Sequence, residues 1–322
     1  MDRLKIGIIG AGYIGAVHQT VLARDDRVRV YAVHDQVFER AEKMAAASGA
    51  TAARSADELI EKVDAVYITT PNTRHTELAI RASSAGKHVF CEKPMAASLE
   101  EARAVLDQAE SSDAVFQVGH NRRFAPVYRA LRQALAETAP HSAHIKMNRG
   151  ELLDPEWISN PALTGGFLYE TTIHMFDLAR FLFGEVARMD AVGSTHEYPE
   201  PDDFSVLLAF RSGVHATLAS SSDAGWMFPF ERVEVFAHHS TIITREMESI
   251  TVSGGLDGPH STDSMHRLSK EEKWGYAQED RAFVDSILGG LAPSVTARDG
   301  YKAVELVESC YRAVRTGERI EF

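Results

Sequence analysis

With 322 residues, 44% of them apolar and 25% charged, the chain has the make-up of a soluble globular protein long enough for two domains with a core each. A formal net charge of -12 argues against the clustered basic surface that nucleic acid or an anionic membrane would need. Two cysteines, Cys91 and Cys310, make neither a disulfide framework nor a Cys-x-x-Cys metal pair, and no apolar run reaches the roughly 18 residues of a membrane span. Because the first strand already begins near residue 4, no room is left for a signal peptide, and a cytoplasmic protein is expected.

Residues 4–9 read as a buried strand that runs into Gly10-Ala11-Gly12-Tyr13-Ile14-Gly15 and then a helix with Ile14, Val17, Val21 and Leu22 on one face. This is Gly-x-Gly-x-x-Gly in the strand–turn–helix setting that a dinucleotide-binding loop requires. The first glycine permits the tight turn, the second admits the pyrophosphate, and the third lets helix and strand pack closely. The helix start then offers free N–H groups to the phosphates. The next strand, 28–33, ends at Asp35, twenty residues beyond Gly15, where an acid would bind the adenosine ribose hydroxyls. A helix N-cap is the plainer role open to Asp35.

A helix over 39–48, a short helix capped by Ser55, a strand over 63–69 and a helix over 76–85 follow. Thr70, Pro71, Asn72 and His75 lie just beyond the 63–69 strand, over the proposed cofactor, although His75 could equally cap or line a loop. A strand over 88–91 delivers Glu92-Lys93-Pro94 at its carboxyl end, where open α/β sheets bind their ligands. Proline restricts the backbone on both sides of that bond and so aims the Lys93 ammonium in one direction. After a helix over 98–110 and a strand over 115–118, residues 1–120 read as a parallel, doubly wound Rossmann domain.

From residue 121 the texture changes. A helix over 126–136 precedes strands of alternating polarity at 142–149, 188–192, 204–210, 214–220, 232–237 and 241–245. These predict a second α/β domain, 121–322, around an open, largely antiparallel sheet. His238 and His239 sit at a strand end, point apart and are not read as a metal pair. Residues 253–272 read as a loop, and helices near 277–288 and 300–316 close the chain. The segment Gly165 to Asp177 places Glu170 four residues before His174, on one face of a helical turn. A histidine beside a carboxylate can shuttle a proton near neutral pH. The other readings of that trio are a salt-bridged core histidine, or a metal held by Glu170, His174 and Asp177, which lacks a second histidine.

Together these segments resemble the glucose–fructose oxidoreductase / inositol dehydrogenase (Gfo/Idh/MocA) family over nearly the whole chain. The resemblance is carried by Gly10/Gly12/Gly15, Pro71-Asn72-x-x-His75, the Gly86-Lys87-His88 strand ending in Glu92-Lys93-Pro94, Gly165-Gly166 with a carboxylate four residues before His174, and Pro293-x-Val295-Thr296-x-x-Asp299-Gly300. It implies oxidation of a sugar, cyclitol or related polyol with a nicotinamide cofactor, with Lys93 and His174 catalytic. Glu170 stands where the family usually has Asp, which keeps the charge but moves the carboxylate outward. Cofactor contacts are expected from Gly10, Gly12, Tyr13, Ile14, Gly15, Asp35, Thr70, Pro71, Asn72, His75, Glu92 and Lys93. Substrate contacts are expected from Lys93, Arg122, Asn148, Asp154, Trp157, Thr171 and His174, and no metal is assigned.

Asp35 should repel a 2′-phosphate, and Gln36 and Val37 after it offer no positive charge, so NAD is favoured while NADP stays possible. The strands 204–210 and 214–220 carry apolar residues on both alternations, which predicts a homodimer or homotetramer packed through the sheet. Two other functions remain open on this fold, an NAD-dependent glycosidase and a non-catalytic NAD(P)-sensing regulator.

Overall fold

The computed structural model describes residues 3–150, 156–227, 229–258 and 260–322, without the side chains of 156 and 157. It divides into two compact units, residues 1–121 with 276–304 and residues 122–275 with 305–322. The first stretch of unit 1 ends at Asn121, and 276–304 returns to it.

Unit 1 is a six-stranded parallel sheet. Its strands are β1 (Leu4–Ile9), β2 (Val28–His34), β3 (Thr51–Ala52), β4 (Ala65–Ile68), β5 (His88–Glu92) and β6 (Phe116–Gly119), in the order β3-β2-β1-β4-β5-β6. The order reverses between β1 and β4, which opens a crevice at their carboxyl ends. Helices α1 (Tyr13–Leu22), α2 (Phe38–Ser48), α3 (Ala56–Lys62), α4 (His75–Ser84) and α5 (Leu99–Glu110) make the crossovers. Ser55 and Ser98 cap α3 and α5, accepting hydrogen bonds from the Glu58 and Glu101 N–H groups. Continuous burial of β4, with every residue inside, is what a strand covered on both faces requires.

The returning helix Tyr276–Gly289 completes this core. Phe283 packs edge-on against Tyr67 and Phe90, whose own rings stack at 4.6 Å. Val118 N–H donates to Val295 O, and a Cβ on Gly300 would lie 2.9 Å from Val118. These contacts draw 276–304 out of the second domain expected from sequence.

Unit 2 is built on a nine-stranded sheet. Its elements begin with α6 (Pro126–Ala136), β7 (Pro140–Asn148), α7 (Pro161–Thr164) and α8 (Ile173–Phe183). The remaining strands are β8 (Val186–Ser194), β9 (Asp203–Phe210), β10 (His215–Ser221), β11 (Glu231–Ala237), β12 (Ser240–Arg245), β13 (Ser249–Gly254), β14 (His260–Ser264) and β15 (Ile320–Glu321). A short helix, α9 (Lys270–Lys273), precedes the returning helix, now α10, and α11 (Ala297–Thr316) carries the chain back into this unit. The strand order is β14-β13-β12-β11-β7-β10-β9-β8-β15. All neighbours are antiparallel except β7 and β10, which run parallel because the chain crosses over through α8 between them.

One face of the sheet is buried. Phe204, Leu208, Phe210, Ala216 and Leu218 point inward, and α8 covers them through Phe183 against Phe210. Two sequence expectations change here. Part of the loop expected over 253–272 is strand, because β14 pairs with β13 in register. His238 and His239 do not point apart: they occupy the β11–β12 turn, His239 has a φ of 49°, and their rings are 4.1 Å apart.

Candidate active site

The glycine loop has the geometry its three roles require. Gly10 has a φ of +104°, and a Cβ there would lie 2.5 Å from the Thr69 carbonyl oxygen. A Cβ on Gly15 would fall 2.2 Å from the Gly10 carbonyl oxygen, so only glycine lets α1 start this close to β1. Gly12 faces open space, with nothing within 4 Å of its would-be Cβ. That opening lies at the start of α1, where the first N–H groups have no partner within the helix. The Thr70 hydroxyl at the end of β4 is buried without a protein partner. An open cradle at a helix start and an orphaned hydroxyl at the sheet's switch point fit a bound dinucleotide. Tyr13 is exposed beside the cradle and Ile14 half-buried.

Asp35 lies at the end of β2 as expected, but it does not cap α2, whose N-cap is Val37. Its Oδ2 accepts a hydrogen bond from Ala11 N–H at 2.7 Å and its Oδ1 one from Val37 N–H at 2.9 Å. The carboxylate thus braces the glycine loop, at the place where ribose hydroxyls would arrive. His75 is buried, with Nδ1 2.7 Å from Pro94 O and Nε2 2.8 Å from Thr70 O. Both contacts ask for N–H donors, while burial pushes the ring's pKa down, and desolvation wins. With both nitrogens on main-chain carbonyls, His75 joins the end of β4 to the Glu-Lys-Pro corner instead of reaching a cofactor. Asn72 is buried beside it in a single 3-10 turn, Asn72–Arg74, that follows Pro71.

Lys93 is half-buried at the end of β5, and the Lys93–Pro94 bond is cis. Its main-chain N–H donates to Glu92 Oε2 at 3.0 Å. The other Glu92 oxygen faces His18 Nε2 at 3.2 Å, and His18 Nδ1 lies 2.8 Å from Asp280 Oδ1. All three side chains are buried. Burial opposes charge on His18, but the attraction and hydrogen bond of Asp280, reinforced by Glu92, raise its pKa to about 10. Burial likewise works against the Glu92 carboxylate, yet the hydrogen bond from His18 and the nearby charges of His18 and Lys93 hold its pKa below the ordinary value. No motif announces this group: His18 is a single polar residue on an otherwise apolar helix face, and Asp280, buried next to Glu279, lies 262 positions away.

In unit 2, Glu170 and Thr171 lie in one π-helical turn, Leu168–Thr172, which leads into α8 with His174 in its first turn. The wide turn is closed by the Ile173 N–H donating to Leu168 O, five residues back, where sequence spacing predicts an ordinary helical turn. Its surroundings hold it. Gly166, with a φ of +110°, leaves no room for a Cβ, which would meet Glu200 Oε1 at 2.4 Å. Leu168 N–H donates to the Tyr311 hydroxyl, Tyr169 donates to Glu308, and Thr172 pairs with Ser220 at 2.7 Å. Glu170 and His174 are both half-buried, whereas Thr171 is buried. π-Turns within helices recur at functional sites.

Asp177 does not stand with Glu170 and His174. Its carboxylate accepts a fork from Arg123, at 2.8 and 2.6 Å, so it is an ion-pair partner and not a ligand. Among the described residues no group of three or more His, Cys, Asp and Glu is arranged to hold a metal. Arg122, expected on the pocket wall, is 4% exposed and forks onto Glu231 Oε2 at 3.2 and 2.7 Å, while Tyr128 donates to the other oxygen. That pairing makes it a brace between the 3-10 turn Asn121–Arg123 and β11. Asn148 ends β7, and its amide, turned to suit its neighbours, donates to Ala219 O at 3.0 Å. Asp154 and the Trp157 side chain lie outside the described residues. Arg149, beside Asn148, stacks over Phe230 at 5.0 Å and feels the charge of Glu170, while burial pushes its pKa down.

A glycine-loop Rossmann sheet whose switch point fits a dinucleotide defines the class, an NAD-binding oxidoreductase. Family models place it further: "Oxidoreductase family, NAD-binding Rossmann fold" matches residues 4–120, and "Oxidoreductase family, C-terminal alpha/beta domain" matches 139–322. The chain belongs to the Gfo/Idh/MocA oxidoreductase family, and it is an oxidoreductase acting on CH-OH groups. It is 29% identical to the myo-inositol 2-dehydrogenase of Thermotoga maritima over 314 residues, 94% of each chain. It is 30% identical to the inositol 2-dehydrogenase of Rhizobium meliloti over 335 residues, 98% of each. The solved structure of a levoglucosan dehydrogenase, in complex with NADH and levoglucosan, superposes with a TM-score of 0.91 over 99% of both chains. At 22% identity that likeness is one of fold. No helix among the described residues is long and apolar enough to cross a membrane.

Proposed function

We propose that this chain oxidises one secondary alcohol of a cyclitol, sugar or related polyol to the ketone, with NAD as hydride acceptor. The observation that carries the reading is the Glu-Lys-Pro corner: Lys93 stands at the carboxyl end of β5 in a sheet built for a dinucleotide, its main chain held by a buried carboxylate. The names of the inositol dehydrogenases to which the chain is similar support a cyclitol among the substrates.

The reaction removes a proton from oxygen and a hydride from carbon. NAD supplies the acceptor for the hydride when bound. Lys93 holds the hydroxyl oxygen and stabilises the negative charge that develops on it. His174 takes the hydroxyl proton on a ring nitrogen, and Glu170, one turn earlier, orients the imidazole and favours its protonated form. Thr171 is buried in the same turn and serves the turn's shape.

Lys93→Met and His174→Ala test the assignment. Both variants should bind NAD as the wild type does. Lys93→Met should lose most of kcat, and His174→Ala should lose roughly 10²–10⁴ of it, the usual share of general acid–base catalysis. Raising the pH should partly restore His174→Ala. Near wild-type turnover by both variants would remove the proposal.

A further inference from the structure

The roles given to Lys93 and His174 leave the buried group behind Lys93 without a task. His18, on α1, is fully buried three residues past Gly15. Its ring packs against Phe90 at 4.9 Å, Tyr67 at 5.3 Å and Tyr276 at 5.8 Å, which leaves it no second orientation. Each nitrogen meets a carboxylate, Asp280 on one side and Glu92 on the other. Glu92 is confined in turn, since a Cβ on Gly119 would lie 3.0 Å from its carboxyl carbon. The free Glu92 oxygen accepts the Lys93 N–H.

We propose that His18 is a positioning residue for Lys93: clamped between Asp280 and Glu92, it fixes the carboxylate that holds the Lys93 main chain, and so ties the cofactor helix to the reactive corner. The proposal rests on the reading of Lys93 as the residue that binds the reacting oxygen. Joining three elements does not by itself call for charge. Buried ion pairs bear a heavy desolvation penalty, and well-packed apolar side chains would join α1, β5 and α10 as firmly or more so. An apolar side chain cannot, however, set the direction of a main-chain N–H beside a catalytic ammonium. A displacement of about 1 Å at such a group can cost on the order of a hundredfold in rate.

The test is a double-mutant cycle between His18→Gln and Lys93→Met, run with the polyol that gives the fastest wild-type NAD reduction. His18→Gln should lower kcat by about tenfold or more with KM and NAD affinity nearly unchanged. Added to Lys93→Met, it should change the residual kcat by less than about twofold. ¹⁵N NMR of the wild type at about pH 8 should show His18 as an imidazolium, with both nitrogens protonated, where an ordinary histidine is neutral. Equal losses of kcat in the two backgrounds, or a neutral His18, would overturn the proposal and leave Lys93 in place. If Lys93→Met alone keeps wild-type kcat, the Lys93 reading fails and the proposal goes with it. Should His18→Gln not fold, Asp280→Asn carries the same cycle, and failure of both to fold would mark the cluster as scaffold and reject the idea.

Discussion

Gly12 and Gly15 stand three residues apart, yet substitution should separate them cleanly. The Gly15 Cβ would lie 2.2 Å from a backbone oxygen, so Gly15→Ala must displace α1 or the loop and should lower Tm as well as NAD affinity. Gly12 has room for a methyl group and a φ of -84°, so Gly12→Ala should keep the wild-type Tm. Its methyl would occupy the approach of the pyrophosphate, and NAD affinity should fall by about tenfold or more. Thermal melts and NAD titrations of the two variants check both outcomes; a Gly12→Ala protein that binds NAD normally would put the pyrophosphate elsewhere. At His18 the prediction concerns pH. Its folded pKa is raised above the unfolded value, so its contribution to stability is complete below about 6.5 and is lost as pH rises through about 10. The Tm gap between wild type and His18→Gln should therefore be widest below about pH 6.5, shrink steadily as pH rises toward about 10, and level off above it. A gap that stays constant from about pH 6 to 10 would mean an ordinary, unraised histidine.

At the scale of elements, legibility followed periodicity. The β1–α1 turn and the β5 corner were readable because glycine and proline chemistry punctuates strong apolar runs, and α6 was read over the same bounds, 126–136, for the same reason. β14 was not readable, since His-Ser-Thr-Asp-Ser is wholly exposed and resembles a loop. It is a strand only because β13 lends it a ladder, with Thr251 facing Thr262 and Ser253 facing His260 at 2.9 and 2.8 Å. The π-turn at Leu168–Thr172 escaped for a related cause: a spacing of four fits an ordinary turn as well as a wide one, and the choice is made by Gly166, Tyr311 and Ser220 from outside the segment. Within the candidate site, Lys93, His174 and Glu170 stand in motifs that the sequence displays, whereas Arg122, His75 and Asp177 are chemically plausible residues whose polar groups the fold engages elsewhere. At the end of β2, Asp35 should make kcat/KM higher with NAD than with NADP. Asp35→Asn removes the charge that repels a 2′-phosphate and should narrow that ratio. A wild-type preference for NADP would count against the ribose role.

At the scale of the whole molecule, the open face of the unit 2 sheet draws attention to self-association. Val192 on β8 and Leu207 on β9 are 68% and 42% exposed, on the face opposite Leu208 and Phe210. With Ser205, Thr217 and Ala219 they line a shallow groove of about 510 Å³. Such a face, smooth and partly apolar, suits a second copy of the chain. Light scattering should report a dimer or tetramer in place of the 35.5 kDa monomer, and Leu207→Asp should shift it toward monomer without unfolding. A wild-type monomer at micromolar concentration would end that idea.

The dehydrogenase reading itself is tested most directly by the stoichiometry of cofactor reduction. Purified protein is mixed with NAD and, in turn, myo-inositol and a panel of sugars and polyols, while NADH absorbance and product are followed together. A dehydrogenase accumulates one free NADH for each alcohol converted to ketone, and Lys93→Met should suppress both in step. Cleavage of a glycoside with no net NADH would point to a closed redox cycle, and NAD binding with no turnover of any polyol would point to a regulator; either result would contradict the account.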